Sequence, residues 1–220
     1  MDKLLDTIQE NFDKFRIVIK FTFIGCLVTI ALFVIAGISC KTYCTFFKEI
    51  NSNPQKSIEK IDFLLKIAPK SSFLCYLKGH AYLNLDKYDD SLKYFEKSLE
   101  YKENADTYSE MAVANFKKEG KITPKVLDLF DKAIKINSSN ARIYQERASV
   151  YFIAGEYDKS LNDLEKTYII THDECFISSS ADVYLQKGDY CKAYTYYEAF
   201  DKQTGHNSVF KDYAMFRCHK

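Results

Sequence analysis

Histidines are the side chains of this chain best suited to metal binding or proton transfer. The sequence has four of them, His80, His172, His206 and His219. His172 and Cys175 lie in the string HDEC, and Cys218 precedes His219, but neither spacing is that of a common zinc site. We therefore predict no metal and no other cofactor.

Seven cysteines are present, and their arrangement predicts no disulfide framework. They are Cys26, Cys40, Cys44, Cys75, Cys175, Cys191 and Cys218. Their number is odd, and no two of them form a CxxC pair. We expect them to be small apolar residues that fill space within helices. Free thiols favour a reducing compartment.

Sequence motifs for catalysis are missing from the chain. It has no glycine-rich phosphate loop, no HExxH and no GxSxG. We therefore predict no catalytic residues and no enzymatic activity. A buried cluster of ionisable groups around His80 or His172 would be needed to revive the hypothesis of an enzyme.

The overall composition favours helices and a partner that is not a nucleic acid. The chain has 31 basic and 30 acidic side chains and a net charge of +1, so it has no field that attracts a polyanion over long range. Only 7 Gly and 3 Pro interrupt its 220 residues. So few breakers favour helices over a turn-rich β protein.

One stretch of the chain is apolar enough to cross a bilayer. Residues 21–40, FTFIGCLVTIALFVIAGISC, carry no charge along their whole length. A helix of that length is about 30 Å long, which matches the hydrocarbon core of a membrane. Lys20 and Lys41 flank it and can reach the headgroups. The sequence predicts an N-terminal tail at 1–20, a single transmembrane helix in the lipid bilayer at 21–40 and a juxtamembrane linker at 41–53.

The processing and orientation of this segment stay open. Its leader is longer and less basic than a cleaved signal, and Gly37 stands where a bacterial lipoprotein signal has an aliphatic residue, so an uncleaved anchor is favoured over lipidation of Cys40. Windows of equal length before and after it hold the same number of Lys and Arg, four on each side. A shorter window slightly favours a cytoplasmic N-terminus. That orientation places the rest of the chain outside the cytoplasm, whereas free thiols favour the reducing side.

After the linker, the chain repeats itself with a period of about 34 residues. The predicted units are a half-unit at 54–71, then 72–105, a degenerate unit at 106–140, 141–173 and 174–207, followed by a capping helix at 208–220. The segments DKYDDSLKYFEKSLEY, GEYDKSLNDLEKTY and GDYCKAYTYYEAFD are three copies of one turn-and-helix design. Each copy opens with a Gly or Asp turn, followed by Tyr and then by a small residue.

Each unit has the pattern of a two-helix hairpin that needs a neighbour. One segment has apolar groups at helical spacing, a short turn follows, and a second amphipathic segment completes the pair. Small residues at positions 8 and 20 of a unit, as in Gly79 with Ser91 and Ala148 with Ser160, predict that the two helices approach closely. Because one hairpin cannot bury its apolar face alone, the hairpins must stack.

These residues resemble the tetratricopeptide repeat (TPR) family over about residues 54–207. The family's tryptophan position holds Cys75 or Tyr144 here, and its terminal proline survives only at Pro69. The resemblance implies an all-α fold, namely a right-handed superhelix of antiparallel helix pairs (a TPR α-solenoid) that follows the transmembrane helix. It also implies that a protein or peptide partner binds on the concave face.

By the same resemblance, the concave face consists of positions 2, 5, 6, 9, 12 and 13 of each first helix. The predicted partner-binding residues are Phe73, Tyr76, His80, Asn84, Glu110, Met111, Arg142, Gln145, Ser149, Phe152, Ser178 and Gln186. This mixture of aromatic and polar groups suits an extended peptide or a partner helix, although simple solvation explains it equally well. Some TPR proteins clamp a C-terminal carboxylate with Lys, Asn and Arg. Only Arg142 fits that set, and Glu146 replaces its last Arg, so we do not expect this ligand.

Two functions are consistent with this organisation. The first is a membrane-tethered scaffold or adaptor that binds a peptide or partner protein through the concave face of the repeats. The alternative is an accessory subunit of a membrane-bound assembly or of a secretion or export complex. In that case Gly25, Thr29, Ala36 and Gly37 would support packing of the transmembrane helix. The sequence does not predict an oligomeric state.

Overall fold

The computed structural model describes residues 48–219 of the chain. The predicted N-terminal tail, the predicted transmembrane helix at 21–40 and most of the predicted linker lie outside this range, and they stay predictions. Among the residues that the structure describes, no helix combines the length and the apolar character needed to cross a membrane. The described chain divides after Ser52 into a short helical segment at 48–52 and a compact unit that begins at Asn53.

The compact unit is built from helices. They are α1 (Pro54–Ile67), α2 (Ser72–Leu83), α3 (Tyr88–Tyr101), α4 (Ala105–Glu119), α5 (Pro124–Ile136), α6 (Ala141–Ile153), α7 (Tyr157–Thr171), α8 (Cys175–Lys187), α9 (Tyr190–Thr204) and α10 (Lys211–Cys218). Residues 48–219 contain no β-strand. The all-α prediction is therefore confirmed for this part of the chain.

Capping side chains determine where several of these helices begin. The Asn53 side chain accepts a hydrogen bond of 3.1 Å from the backbone N–H of Lys56. Pro54 then supplies a first helical residue that has no N–H to satisfy. Thr123 and Pro124 repeat this arrangement at the start of α5. Local sequence thus sets where these two helices begin.

The helices pack in chain order as antiparallel hairpins. The pairs with the most extensive contact are α2 with α3, α4 with α5, α6 with α7 and α8 with α9. α1 packs on α2 as a half-hairpin, and α10 packs on α9 at the other end. Between hairpins, α3 contacts α4 and α7 contacts α8. Contacts that run mainly between neighbours define a solenoid.

The two helices of the first hairpin approach as closely as the small residues predict. A Cβ added at Gly79 of α2 would lie 2.6 Å from Cδ1 of Phe95 in α3, whose ring is fully buried. In α6 and α7 the same two places hold Ala148 and Leu164, which are also buried. A larger residue in the first helix is therefore matched by a smaller one in the second, and the volume between the helices is conserved.

The structure also shows a period that spans two hairpins. Asp86 and Gly155 both have positive φ, 55° and 78°, at the turn inside a hairpin, and they are 69 residues apart (155 − 86). Gly tolerates this left-handed conformation best, and Asp is among the few other residues that adopt it. Residues 72–209 therefore divide into two double repeats, which we call the first (residues 72–140) and the second (residues 141–209).

A disulfide joins the last two helices. Cys191 of α9 and Cys218 of α10 are bonded, with their Cα atoms 4.7 Å apart. The prediction that the cysteines do not pair is wrong for these two, because the fold brings together residues that are 27 positions apart. Cys75 is free and buried, as predicted for a small apolar residue, whereas Cys175 is free and exposed.

Candidate functional site

Polar side chains join the first helices of three successive hairpins. α2 supplies Tyr76 and His80, α4 supplies Glu110, and α6 supplies Arg142 and Glu146. We call these five residues the polar cluster. Four of them, all except Glu146, were predicted to line the concave face, and the structure brings those four into contact. The first helices of the hairpins therefore present one continuous face across α2, α4 and α6.

Glu110 lies at the centre of the polar cluster, with only 3% of its side chain exposed. Its Oε1 accepts a 2.7 Å hydrogen bond from the Tyr76 hydroxyl and pairs with the Arg142 guanidinium, and its Oε2 lies 2.6 Å from His80 Nδ1. Burial alone would raise its pKa. The hydrogen bond and charge of His80, the charge of Arg142 and the Tyr76 hydrogen bond outweigh burial, so the pKa of Glu110 lies below its ordinary value.

Arg142 directs three of its nitrogens into the polar cluster. Its Nε lies 2.7 Å from Oε1 of Glu146, its Nη1 lies 3.2 Å from the Tyr76 hydroxyl, and its Nη2 pairs with Glu110. Although burial disfavours its charge, Glu146 and Glu110 raise the pKa of Arg142 above its usual range. Because Tyr76, Glu110 and Glu146 already engage these three nitrogens, the guanidinium is poorly placed to clamp the carboxylate of a partner.

Glu146 shares the Arg142 guanidinium with Glu110. Its side chain is 19% exposed, and its Oε2 accepts a 2.5 Å hydrogen bond from the Ser109 hydroxyl. Burial raises the pKa of Glu146 to about 7; Arg142 opposes this shift and the nearby charge of Glu110 reinforces it. Two carboxylates on one cation therefore differ in charge near neutral pH, with Glu110 ionised and Glu146 close to half-protonated.

A cavity of about 360 Å³ opens between α6 and α8. These helices of the second double repeat correspond to α2 and α4 of the first, which carry part of the polar cluster. The predicted residues Gln145, Ser149 and Phe152 line it from α6, and Ser179 and Asp182 line it from α8. Gln145 and Ser149 are exposed, so the cavity is open to solvent. Its polar rim and its position on the first helices make it the best candidate for a binding site.

The remaining predicted site residues are more dispersed. Phe73 and Asn84 lie on the α2 side of the stack and are exposed, and Ser178 on α8 is half-buried. Gln186 is exposed and lines a different cavity, which lies beside α10. Met111 is buried, with 6% of its surface exposed. Its side chain therefore belongs to the hydrophobic core.

A second cavity of the second double repeat lies between α7, α8 and α9. It measures about 470 Å³, and its lining includes Ser180, Tyr184 and Tyr196. The counterpart of Ser180 in the first double repeat, 69 positions earlier, is the buried Met111. Because serine is smaller than methionine, it leaves space between these helices. Residues of α8 therefore line two cavities.

Two largely buried basic side chains, Lys78 and Arg147, were not predicted from the sequence. Lys78 forms a salt bridge with Asp62 of the preceding helix pair and lies 4.2 Å from the centre of the Tyr94 ring. The counterparts of these three residues, 69 positions later, are Arg147, Asp131 and Asp163. Arg147 donates to both oxygens of Asp163 at 2.7 and 2.9 Å and lies 3.5 Å from Asp131. Alignment of the two double repeats, rather than of single hairpin units, would have found these interactions, which tie adjacent hairpins together.

The HDEC string forms a turn rather than a metal site. His172 ends α7 in a left-handed conformation (φ 53°), and Asp173 accepts a 2.9 Å hydrogen bond from the backbone N–H of Cys175. Within residues 48–219 no three His, Cys, Asp or Glu side chains are grouped so that they could hold a metal ion.

Comparison with known proteins identifies the repeat. Residues 74–105 match the model of the tetratricopeptide repeat family. No curated protein sequence matches the chain.

Several solved structures share the fold of the chain. The crystal structure of MamA is 23% identical, covers 72% of this chain and 95% of its own, and superposes with a TM-score of 0.55. A thermophilic TPR protein of Thermus thermophilus is 16% identical, covers 83% of this chain and 96% of its own, and has a TM-score of 0.62. YrrB, a TPR protein with an unusual peptide-binding site, is 17% identical and has a TM-score of 0.51; the match covers 76% of this chain and 83% of YrrB.

Proposed function

Because the chain contains a tetratricopeptide repeat and has the fold of TPR proteins, we propose that it is a protein-interaction scaffold. In this proposal the face formed by the first helices α2, α4, α6 and α8 binds a segment of a partner protein. Residues 21–40 hold the scaffold at a membrane, where tethering raises the local concentration and lets a weak site be occupied. The polar cluster around His80 is buried, but its side chains are bonded to one another, so catalysis has no part in the proposal.

The observation that carries the proposal is the continuity of this face. Tyr76, Glu110 and Arg142 come from three different helices and meet at one place, and the next first-helix pair presents an open cavity. A surface that spans several repeats can contact an extended segment at several points. YrrB, which shares the fold, has a peptide-binding site.

Site-specific crosslinking tests which face binds the partner. A photoreactive amino acid is introduced at Gln145, on the cavity, and at Lys166, which is exposed on the second helix α7. We expect the full chain, crosslinked in its own cells, to give one dominant adduct from position 145 and none from position 166. Mass spectrometry of the adduct identifies the partner. Adducts from position 166 alone, or from neither position, would contradict the proposal.

The disulfide bears on which side of the membrane the repeats occupy in this proposal. Structural disulfides persist in oxidising compartments and are rare in the cytosol. The Cys191–Cys218 bond therefore supports a repeat domain outside the cytoplasm, which is also the orientation that the shorter window of Lys and Arg slightly favours. Labelling of intact cells with a membrane-impermeant thiol reagent, after reduction with an impermeant phosphine, should modify both cysteines. Labelling only after the cells are lysed would place the domain on the other side.

The alternative function is an accessory subunit of a membrane-bound assembly, in which the transmembrane segment makes specific contacts. Small residues such as Gly25 and Gly37 favour close helix packing. Replacing residues 21–40 with an unrelated apolar helix separates the two functions. A plain tether keeps its partner after the exchange, whereas a packed subunit loses it.

A further inference from the structure

The cavity between α6 and α8 is open because the polar cluster has no equivalent there. Residues 69 positions after the cluster members are Gln145 for Tyr76, Ser149 for His80, Ser179 for Glu110, Lys211 for Arg142 and Met215 for Glu146. The first three substitutions shorten the side chain or remove a ring. Lys211 does keep a positive charge, but its Nζ lies 2.7 Å from Asp201, a residue of α9. In the first double repeat the side chains of the polar cluster fill this place, and the second double repeat leaves it unfilled.

The inner wall of the cavity is apolar. Leu164, Phe176 and Val183 line it, and together with Ala148 they form a buried core cluster. Phe152 packs against this cluster from α6. A large aliphatic or aromatic side chain that enters the cavity would therefore cover the surface of the hydrophobic core and lose contact with water.

Among the described residues, one charged side chain lines the cavity. This is Asp182, which is exposed and accepts a 2.5 Å hydrogen bond from the Tyr197 hydroxyl. The cation of the neighbouring polar cluster, Arg142, is already engaged by Glu110 and Glu146. The described lining thus offers a carboxylate to a ligand and no cation, and charge complementarity selects a basic group.

We infer that this cavity binds a segment of a protein partner that presents a large apolar side chain next to a lysine or arginine. The apolar side chain lies on Leu164 and Phe176, and the basic group pairs with Asp182. The inference rests on the proposed scaffold function and names the partner chemistry of its site. It also assigns binding to the second double repeat, since the polar cluster occupies the equivalent place in the first.

Peptide binding to the purified full chain tests this chemistry. The probes are three short fluorescent peptides in a Gly-Ser background: one with adjacent phenylalanine and lysine, one with phenylalanine and glutamate, and one with alanine and lysine. We expect the phenylalanine–lysine peptide to bind at least about tenfold more tightly than either of the others, a difference of about 1.4 kcal/mol. Equal binding of the three peptides, or no binding of any, would overturn the inference.

Two substitutions then locate the binding site. Ser149→Phe fills the cavity from an exposed position and should abolish binding. Asp182→Asn keeps an acceptor for Tyr197 and should remove the preference for lysine over glutamate. Asp90→Asn and Thr195→Phe are matched controls at exposed positions outside the cavity and should change nothing. Circular dichroism checks that all four variants fold, and unchanged peptide binding by Ser149→Phe would place the peptide elsewhere.

Failure of this inference can be distinguished from failure of the scaffold proposal. If the cellular partner crosslinks at position 145 but its affinity is unchanged by Ser149→Phe and Asp182→Asn, the partner chemistry is wrong and the scaffold stands. If no crosslink forms at position 145, the scaffold proposal itself fails.

Discussion

The first and second double repeats share a backbone plan but differ in how they use the face of their first helices. Both place a largely buried cation between adjacent hairpins, Lys78 in one and Arg147 in the other. On the first-helix face, the first double repeat has Glu110 in a closed network, whereas the second has Ser179 at the edge of a cavity. Where two repeats share the same backbone plan, side-chain length at a few positions therefore decides whether the face of the first helices is closed or open.

Removal of the Glu110 side chain should lower the free energy of unfolding more than any other change proposed here. Glu110→Ala leaves Arg142 and Tyr76 without their shared acceptor, and removing one partner of a buried ion pair costs about 3 kcal/mol of the free energy of unfolding. The counterpart Ser179→Ala should cost less than about 0.5 kcal/mol. Urea unfolding of the full chain, followed by circular dichroism, measures both. Equal costs at the two positions would show that the two faces do not differ as described.

A smaller effect tests the exchange of volume between paired helices. Gly79→Ala forces a Cβ against the buried Phe95 ring, and we expect overpacking of about 2 kcal/mol, partly offset by a gain in helix propensity of about 1 kcal/mol. Adding Phe95→Leu recreates the pairing of Ala148 with Leu164. The double variant should therefore be more stable than the sum of the two single changes predicts. Strict additivity in this cycle would contradict the volume argument.

A third prediction concerns how the free energy of unfolding depends on pH, and it rests on Glu146 of the polar cluster. The pKa of Glu146 is about 7 in the folded protein, above its ordinary value of 4.5, so the folded state holds this proton more strongly than the unfolded state does. Between these two pH values the free energy of unfolding should fall as the pH rises, by at most about 1.4 kcal/mol per pH unit. Glu146→Gln should flatten this slope, and Glu96→Gln, at an exposed site on α3, should not.

The depressed pKa of Glu110 acts with the opposite sign. Its stabilising contribution is present above the ordinary pKa of a glutamate and is lost only as the pH falls further, through its folded value. The two effects therefore occupy separate pH ranges. A slope between pH 4.5 and 7 that persists in Glu146→Gln would assign it to another group.

The smallest effect is expected where the two double repeats are alike on the surface. Lys118 pairs with Asp89, and Lys187 pairs with Asp158 at the equivalent place. Both aspartates are largely exposed, so solvent screens both pairs. Asp89→Asn and Asp158→Asn should leave the urea midpoint of unfolding unchanged. A shift in only one of them would reveal a further difference between the double repeats.

Much of the fold was predictable because it depends on periodic patterns. Small residues such as Gly79 and large ones such as Phe95 recur at fixed positions, and helical geometry converts these positions into facing side chains. The resemblance to the TPR family implied that Tyr76, Glu110 and Arg142 lie on one face. The contacts between these three side chains could not be predicted in this way. A position in the repeat indicates the direction of a side chain but not how far the side chain extends.

What the sequence analysis missed depends on contacts between particular side chains. Lys78 and Arg147 are both cations at equivalent positions, but the sequence does not show that Asp62 and Asp131 lie within their reach. The Cys191–Cys218 bond requires α10 to fold back on α9. An odd number of cysteines is a poor guide to such a pair, because the pairing depends on the tertiary structure.

The disulfide also changes how the chain responds to mechanical force. A pull applied beyond Cys218 is carried across the sulfur–sulfur bond directly to Cys191, so the intervening segment bears no tension while the bond is intact. An unfolding machine that draws in the chain from this side would meet a closed loop instead of a single strand. Reduction would release the intervening segment as about 90 Å of extra length, a step that single-molecule stretching can resolve.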